Sequence, residues 1–279
     1  MFQVRKMTEQ DFDYAVELTD TKNWNLIEED FRFMLNLEPE GCFVLLDDSK
    51  KIGIIASISL GRIGWFGNLI VEEKYQRKGA GSLLVKRVID YLTSKSVEVV
   101  GLYSYVDAVP FYEKLGFRYD SDFAVLEGKA STSTVEANIR KVNKEDFEKI
   151  VQFDSSCLDT SLRKLLEAIF HKENNLSYFA SENGQVLGYV MAKVYESMAE
   201  VGPLTCNPEH SDVAIDLVKT VLNRLEGFEV SFCVPKKESA MINFLSNMGI
   251  SERFHVARMF LKPISLKDCI YIAESLERG

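Results

Sequence analysis

The chain has 279 residues, 46% hydrophobic and 27% charged, which suits two ordinary globular domains and excludes collagen-like, low-complexity and disordered classes. Its formal net charge of −9 is shared, with 16 basic against 21 acidic residues up to position 135 and 17 against 21 after it. Neither half is a basic module, so broad nucleic-acid binding is not expected. The acidity reads first as a solubilising surface and is compatible with a cationic or amine substrate.

From the start of the chain, FQVRKM alternates as a short strand, and Thr8 offers an N-cap to a helix through Phe12, Ala15, Val16 and Leu18. A second short helix is predicted at about residues 26 to 37. Apolar runs at 42–46, 52–60 and 63–71, separated by DDSKK and Gly61-Arg62, read as an antiparallel meander. An amphipathic helix follows, with Leu83, Leu84, Val88, Ile89 and Leu92 at helical spacing; then strand VEVVGLYSY and helix AVPFYEKL, closed by Gly116. A strand at about 117 to 127 is expected to complete this unit.

The same order then recurs. VRKMTEQDF (4–12) matches IRKVNKEDF (139–147) in four of nine places, and LLVKRVIDYL (83–92) matches DLVKTVLNRL (216–225) in five of ten. FYEKLGF (111–117) faces FLSNMGI (244–250), again at nearly the same offset. Three ordered matches at nearly one offset indicate an internal duplication. The expected units are residues 1–130 and 136–279, joined through the Ser/Thr-rich stretch GKASTSTVE at 128–136.

The segment carrying chemistry is GNLIVEEKYQRKGAGSLLVKRVIDYL (67–92): an apolar strand, a basic glycine-containing turn, and a helix. Unpaired N–H groups and the positive end of the helix dipole suit a diphosphate there, provided no side chain blocks its approach. Gly79 and Gly81 provide clearance, Gln76, Arg77 and Lys78 add donors and charge, and Ser82 adds a hydroxyl. Neither GxxxxGK[ST] nor GxGxxG opens this helix, so a standard nucleotide fingerprint is absent.

Gln76-Arg77-Lys78-Gly79-Ala80-Gly81 resembles the acetyl-CoA motif Q/R-x-x-G-x-G/A of the GNAT superfamily of N-acetyltransferases, and FYEKLGF some thirty residues later is a further family feature in the family's order. The resemblance implies a mixed α/β (α+β) fold, two tandem GNAT units, each a twisted, mostly antiparallel sheet flanked by helices. It implies that the backbone of Leu69, Ile70 and Val71 pairs with the pantetheine arm of acetyl-CoA and that Gln76 to Ser82, Ala80 included, wrap the pyrophosphate. Tyr112 is then both a cofactor contact and the general acid for the departing thiolate. The acceptor, a small-molecule or peptide amine, is expected near Asn23, Trp24 and Trp65. Many members use a glutamate base in or near the strand 64–71, but that stretch holds no acid; Asp107, Glu28 and Glu29 stand as candidates. The asparagine that often precedes the tyrosine by seven residues is Tyr105 here. A CoA-binding regulatory or scaffold protein without turnover, and an acyltransferase using a longer acyl group, are the competing readings.

The second copy has VGPLTCNPEHSDVAIDLVK in place of the phosphate loop, without close glycines, and Leu245 where Tyr112 stands. It is expected to be a degenerate GNAT-like unit without catalysis, occupying the place of a dimer partner, so that the chain is a monomer. Five scattered cysteines without a CxxC pair read as reduced and buried; with no HExxH and no cysteine at zinc spacing, no metal site is expected. The opening MFQVRKMTEQ has no long apolar signal region and no uncharged apolar run approaches about 18 residues, so a cytoplasmic, non-membrane protein is expected.

Overall fold

In the computed structural model, which describes residues 1–264 and 266–279, the first copy runs β1 (Phe2–Lys6), α1 (Phe12–Asp20), α2 (Glu28–Leu37), β2 (Cys42–Asp47), β3 (Lys50–Leu60) and β4 (Ile63–Val71). It continues through α3 (Ala80–Ser94), β5 (Val99–Tyr105), α4 (Val109–Glu113) and β6 (Arg118–Lys129). The second copy repeats the order as β7 (Ile139–Lys141), α5 (Lys144–Leu158), α6 (Arg163–Phe170), β8 (Leu176–Glu182), β9 (Gln185–Val194) and β10 (Met198–Cys206). Then come α7 (Ser211–Arg224), β11 (Glu229–Pro235), α8 (Ser239–Asn247) and β12 (Ser251–Phe260), with an added strand β13 (Ile270–Ile272).

Local sequence accounts for most of these elements. In α3, Leu84, Val85, Val88, Tyr91 and Leu92 form one buried stripe that packs on the sheet with Phe43, Leu45 and Phe66. The opposite face is covered by α1 and α2 through Phe12, Leu18, Phe31 and Met34. Thr8 does not open α1 directly: a 3-10 turn at Glu9–Asp11 intervenes, with the Thr8 N–H donating to the Asp11 carboxylate at 2.9 Å. Asn143 caps α5, its side-chain oxygen accepting from the N–H groups of Glu145 and Asp146. All five cysteines are buried and unpaired, and no helix among the described residues is long and apolar enough to cross a membrane.

The mixed fold and tandem arrangement are as the sequence indicates, but the strand expected to complete the first copy lies elsewhere. The thirteen strands of the described residues form one sheet, ordered β1-β2-β3-β4-β5-β12-β6-β11-β10-β9-β8-β7, with β13 beside β10. β6 does not complete its own copy. It lies between β11 and β12, pairing antiparallel with both, while β12 lies between β5 and β6. The copies thus exchange their terminal strands across the junction. Central strands are buried on both faces, as Phe123, Ala124 and Leu126 are in β6, and such apolar runs carry no label for their partner. The connecting stretch is also tied down: Asn223 of α7 accepts from the Ser133 N–H and donates to its carbonyl.

Candidate active site

The site begins where β4 and β5 part. They pair in parallel only from Ile63↔Val99 to Trp65↔Gly101. Past that point β4 bulges: Asn68 sits at φ 52°, and the register with β3 shifts between Gly67 and Ile70. Among the described residues no strand then pairs with the β5-facing edge at Leu69, Ile70 and Val71. Backbone groups there are available to an extended ligand.

The turn after β4 is organised by its own side chains. Gln76 Nε2 donates to the Val71 carbonyl at 3.0 Å, tying the loop to the strand end. Arg77 (φ 58°) and Gly79 (φ 85°) adopt the left-handed conformation, which reverses the chain into α3. A Cβ on Gly79 would meet nothing within 4 Å, so glycine serves its backbone conformation; a Cβ on Gly81 would lie 3.3 Å from the Phe111 ring. The first α3 bond runs from the Leu83 N–H to the Gly79 carbonyl, leaving the N–H groups of Ala80, Gly81 and Ser82 without a helical acceptor. Gln76, Arg77 and Lys78 are exposed, and among the described residues neither cation pairs with a carboxylate. Free strand edge, open helix start and uncompensated positive charge together could hold an extended ligand with an anionic end.

A cavity of about 510 Å³ adjoins this edge. From the first copy it is lined by Asn23 and Trp24 of the α1–α2 connection, Phe66 to Leu69 of β4, Tyr103 to Tyr105 of β5, and Tyr112 of α4. Tyr112 is buried among Phe66, Phe111 and Phe117, and its hydroxyl engages no protein group among the described residues. Burial pushes its phenol well above the ordinary tyrosine range, so it keeps its proton at neutral pH. Trp24 stacks on Tyr105, ring centroids 6.5 Å apart, and Tyr105 in turn packs on Phe254 of β12.

The structure separates the two tryptophans expected at one mouth. Trp65 does not line the cavity; it is 6% exposed, stacked on Tyr103 at 5.2 Å and packed with Phe260, in the apolar cluster that joins the first copy to α5 and α6. Its position on β4 before the bulge points it into that shared core. Asp107, Glu28 and Glu29 are also elsewhere. All three are exposed outside the cavity lining, and the two glutamates lie near Arg32, with Glu29 also holding Lys172.

The other wall comes from the second copy. Tyr195, Glu200, Ser231, Phe254 and the tail segment Ala273–Glu277 all face the cavity. The tail reaches it through the second copy's own cleft. There β10 and β11 pair in parallel only from Met198↔Glu229 to Val201↔Phe232, as β4 and β5 do. β13 then adds to β10, the Cys206 N–H donates to the Cys269 carbonyl at 2.9 Å, and the Ala273 N–H donates to the Cys233 carbonyl at 2.8 Å. Gly202, the counterpart of Gly67, lies so close that a Cβ on it would fall 2.1 Å from the Ala273 carbonyl oxygen. The space equivalent to the open cleft beside β4 is filled by the chain itself. Leu245, in the place of Tyr112, is fully buried. The one signal in the sequence was the retained pair Gly67 and Gly202: both make room for this tail.

Comparison with known proteins agrees in both halves. The model of the acetyltransferase (GNAT) family matches residues 4–117, and that of an acetyltransferase (GNAT) domain matches 150–270. The uncharacterized N-acetyltransferase YitH of Bacillus subtilis is 21% identical over 71% of this chain and 70% of its own length. The holothin acyltransferase of Pseudoalteromonas sp. is 22% identical over 92% of this chain and 88% of its own. Among solved structures, a putative acetyltransferase from Pyrococcus horikoshii superposes with a TM-score of 0.83 at 20% identity, covering 100% of this chain and 96% of that one. A tandem GNAT protein from the clavulanic acid biosynthesis pathway gives 0.63 at 12% identity, covering 95% and 100%. At these identities the structural likenesses establish the fold.

Proposed function

The chain belongs to the GNAT acetyltransferase family as a tandem of two such domains, and from that premise we propose that residues 1–130 transfer the acetyl group of acetyl-CoA directly to an amine. Residues 136–279 supply a wall of the acceptor cavity and no acyl-donor site. The observation that carries this reading is a single cavity bordered at once by the free edge of β4 at Leu69 and by Tyr112 with its unengaged hydroxyl. The donor supplies an activated acyl carbon joined to a thiolate leaving group. The backbone of Leu69, Ile70 and Val71 holds its pantetheine arm in register. The loop from Gln76 to Ser82 meets the diphosphate with N–H groups and with the charges of Arg77 and Lys78.

Tyr112 provides the proton that a departing thiolate needs. Its raised pKa keeps it protonated, and in the same dry wall a thiolate is equally short of solvation, so the proton finds a basic partner there. An alkylamine with a pKa of about 10.4 costs roughly 4 to 5 kcal/mol to deprotonate at pH 7. A base near the acceptor nitrogen is therefore required.

Titration calorimetry with acetyl-CoA, paired with a thiol-release assay across amines and peptides, tests the reading. Gly81→Glu places a carboxylate at the start of α3, and its expected effect is a loss of acetyl-CoA affinity of about 100-fold or more, two close like charges costing several kcal/mol in a poorly solvated site. Unchanged affinity in the folded variant refutes the loop assignment. Binding of acetyl-CoA without thiol release for any amine refutes the transferase reading.

A further inference from the structure

The proposed function leaves the base unassigned, and β4 supplies none. Every Asp, Glu, Lys, Arg or His lining the cavity is a carboxylate: Asp30, Glu127, Glu200, Glu274 and Glu277. Glu274 is committed to structure. Fully buried, it accepts from Lys193 Nζ at 2.5 Å and from Arg278 Nε at 2.7 Å. Glu200 takes the other side of Lys193 at 2.5 Å. Glu277 is different. Its carboxylate accepts no hydrogen bond among the described residues, and the nearest cation, Arg278 Nη1, is 4.0 Å away. Three carboxylates therefore face two cations, an excess of one negative charge in a poorly solvated wall. Such an excess is relieved by a proton or by a cation arriving from outside.

The fold holds Glu277 at the site rather than merely near it. Its Cα and Cβ would lie 2.6 and 2.9 Å from a Cβ built on Gly67, so the tail rests directly on β4 at the bulge, two residues before Leu69. Upstream, the tail is fastened in the second copy's cleft through Ala273 and by the Glu274 ion pairs; downstream, Gly279 packs against the Trp65 ring. Trp24 and Tyr105 add aromatic faces suited to a cation.

We propose that Glu277, carried into the first copy's cavity by the tail of the second, is the general base of acyl transfer, and that the acceptor is a primary amine bearing an additional positive charge. This rests on the acetyltransferase reading and extends it. The ammonium gives one proton to the Glu277 carboxylate. The freed nitrogen lone pair forms the C–N bond as the C–S bond breaks, its electron pair leaving with sulfur, and Tyr112 gives sulfur its proton. The second proton of the nitrogen restores Tyr112, and Glu277 passes its proton to solvent, so each turnover yields amide, thiol and one proton. Burial raises the proton affinity of Glu277, as do the facing Glu200 and Glu274, while Arg278 and Lys193 oppose; Tyr105 lies within the same field. The direction brings the carboxyl nearer to the pH at which a base works well.

The test uses the full chain, acetyl-CoA and 1,5-diaminopentane, with glutamate as the anionic comparison amine. Wild type is expected to acetylate the diamine in clear preference to glutamate. Glu277→Gln, matched in shape, is expected to lower kcat/KM at pH 7 by about 100-fold, with acetyl-CoA affinity and melting temperature kept. The gap should narrow toward pH 10, where the amine loses its proton unaided. Wild type that binds acetyl-CoA yet prefers glutamate, or acetylates neither amine, overturns the acceptor assignment. A Glu277→Gln variant within twofold of wild type at pH 7, or one whose deficit is the same at every pH, overturns the base. Wild type that fails to bind acetyl-CoA brings down the parent reading instead.

Discussion

Replacing Gly67 by alanine adds one methyl group at the contact between β4 and the tail. Gly67 is not in the left-handed region, so alanine brings no backbone strain, and the effect is steric alone. The new Cβ would sit 2.6 Å from Glu277 Cα, 2.9 Å from its Cβ and 3.1 Å from its Cγ. Relaxed carbon contacts are about 3.5–4.0 Å, so the tail must retreat by about 1 Å. It has little freedom to do so, because Glu274 is held by Lys193 and Arg278 and Gly279 abuts Trp65. Overpacking of this kind costs about 1–3 kcal/mol, and each kcal/mol lowers Tm by roughly 2–4 °C in a chain of this size. A misplacement of about 1 Å in a reacting group costs about 100-fold in rate. Thermal melts, acetyl-CoA calorimetry and steady-state kinetics should therefore show a modest fall in Tm, retained donor binding, and a kcat/KM reduced by about 10- to 100-fold. The double variant Gly67→Ala/Glu277→Gln should be little worse than Glu277→Gln alone, since both act through one carboxylate. A lowered Tm with unchanged kcat/KM would separate the tail from catalysis. Unchanged values of both would show that the tail does not rest on β4.

Two further predictions concern single side chains. Tyr112→Phe should lower kcat by about 100-fold while leaving the acetyl-CoA Kd within twofold, as loss of a proton donor does; turnover unaffected at every pH would make the tyrosine a packing residue. Asp154 is buried, takes a hydrogen bond from the Tyr189 hydroxyl at 2.5 Å, and leaves its Oδ2 without a partner among the described residues. Burial raises its pKa from 3.8 to about 6. Because the folded state holds this proton more tightly, the stabilisation is present below about pH 4 and lost as pH rises to about 6, a swing of about 3 kcal/mol. In urea melts, Asp154→Asn should gain on wild type by about that amount between pH 4 and pH 7; a difference independent of pH would refute the assignment.

The duplication was legible because four and five identities at nearly one offset survive where the first strand leads into its helix and where the long helix packs. The open helix start was legible for a local reason: Gly79 and the start of α3 are contiguous, and the open N–H groups follow from helix geometry wherever the helix begins. Tyr112 could be nominated from FYEKLGF, and the structure brings it to the cavity with Asn23 and Trp24. Trp65 shows the limit of that approach, since a strand residue's side depends on the register of a neighbour far away in sequence.

What the sequence determined by itself was local: two copies of one unit, a basic glycine-bearing turn opening one helix, and one copy without that turn. What only the tertiary structure decided was pairing across distance. β6 and β12 exchange places where the buried run Phe123–Leu126 meets an open edge, and the pairs that fix the match, such as Arg258 with Asp120, join residues far apart in sequence. Glu277 stands 165 residues beyond Tyr112, and their shared cavity exists only because the tail crosses from one cleft to the other.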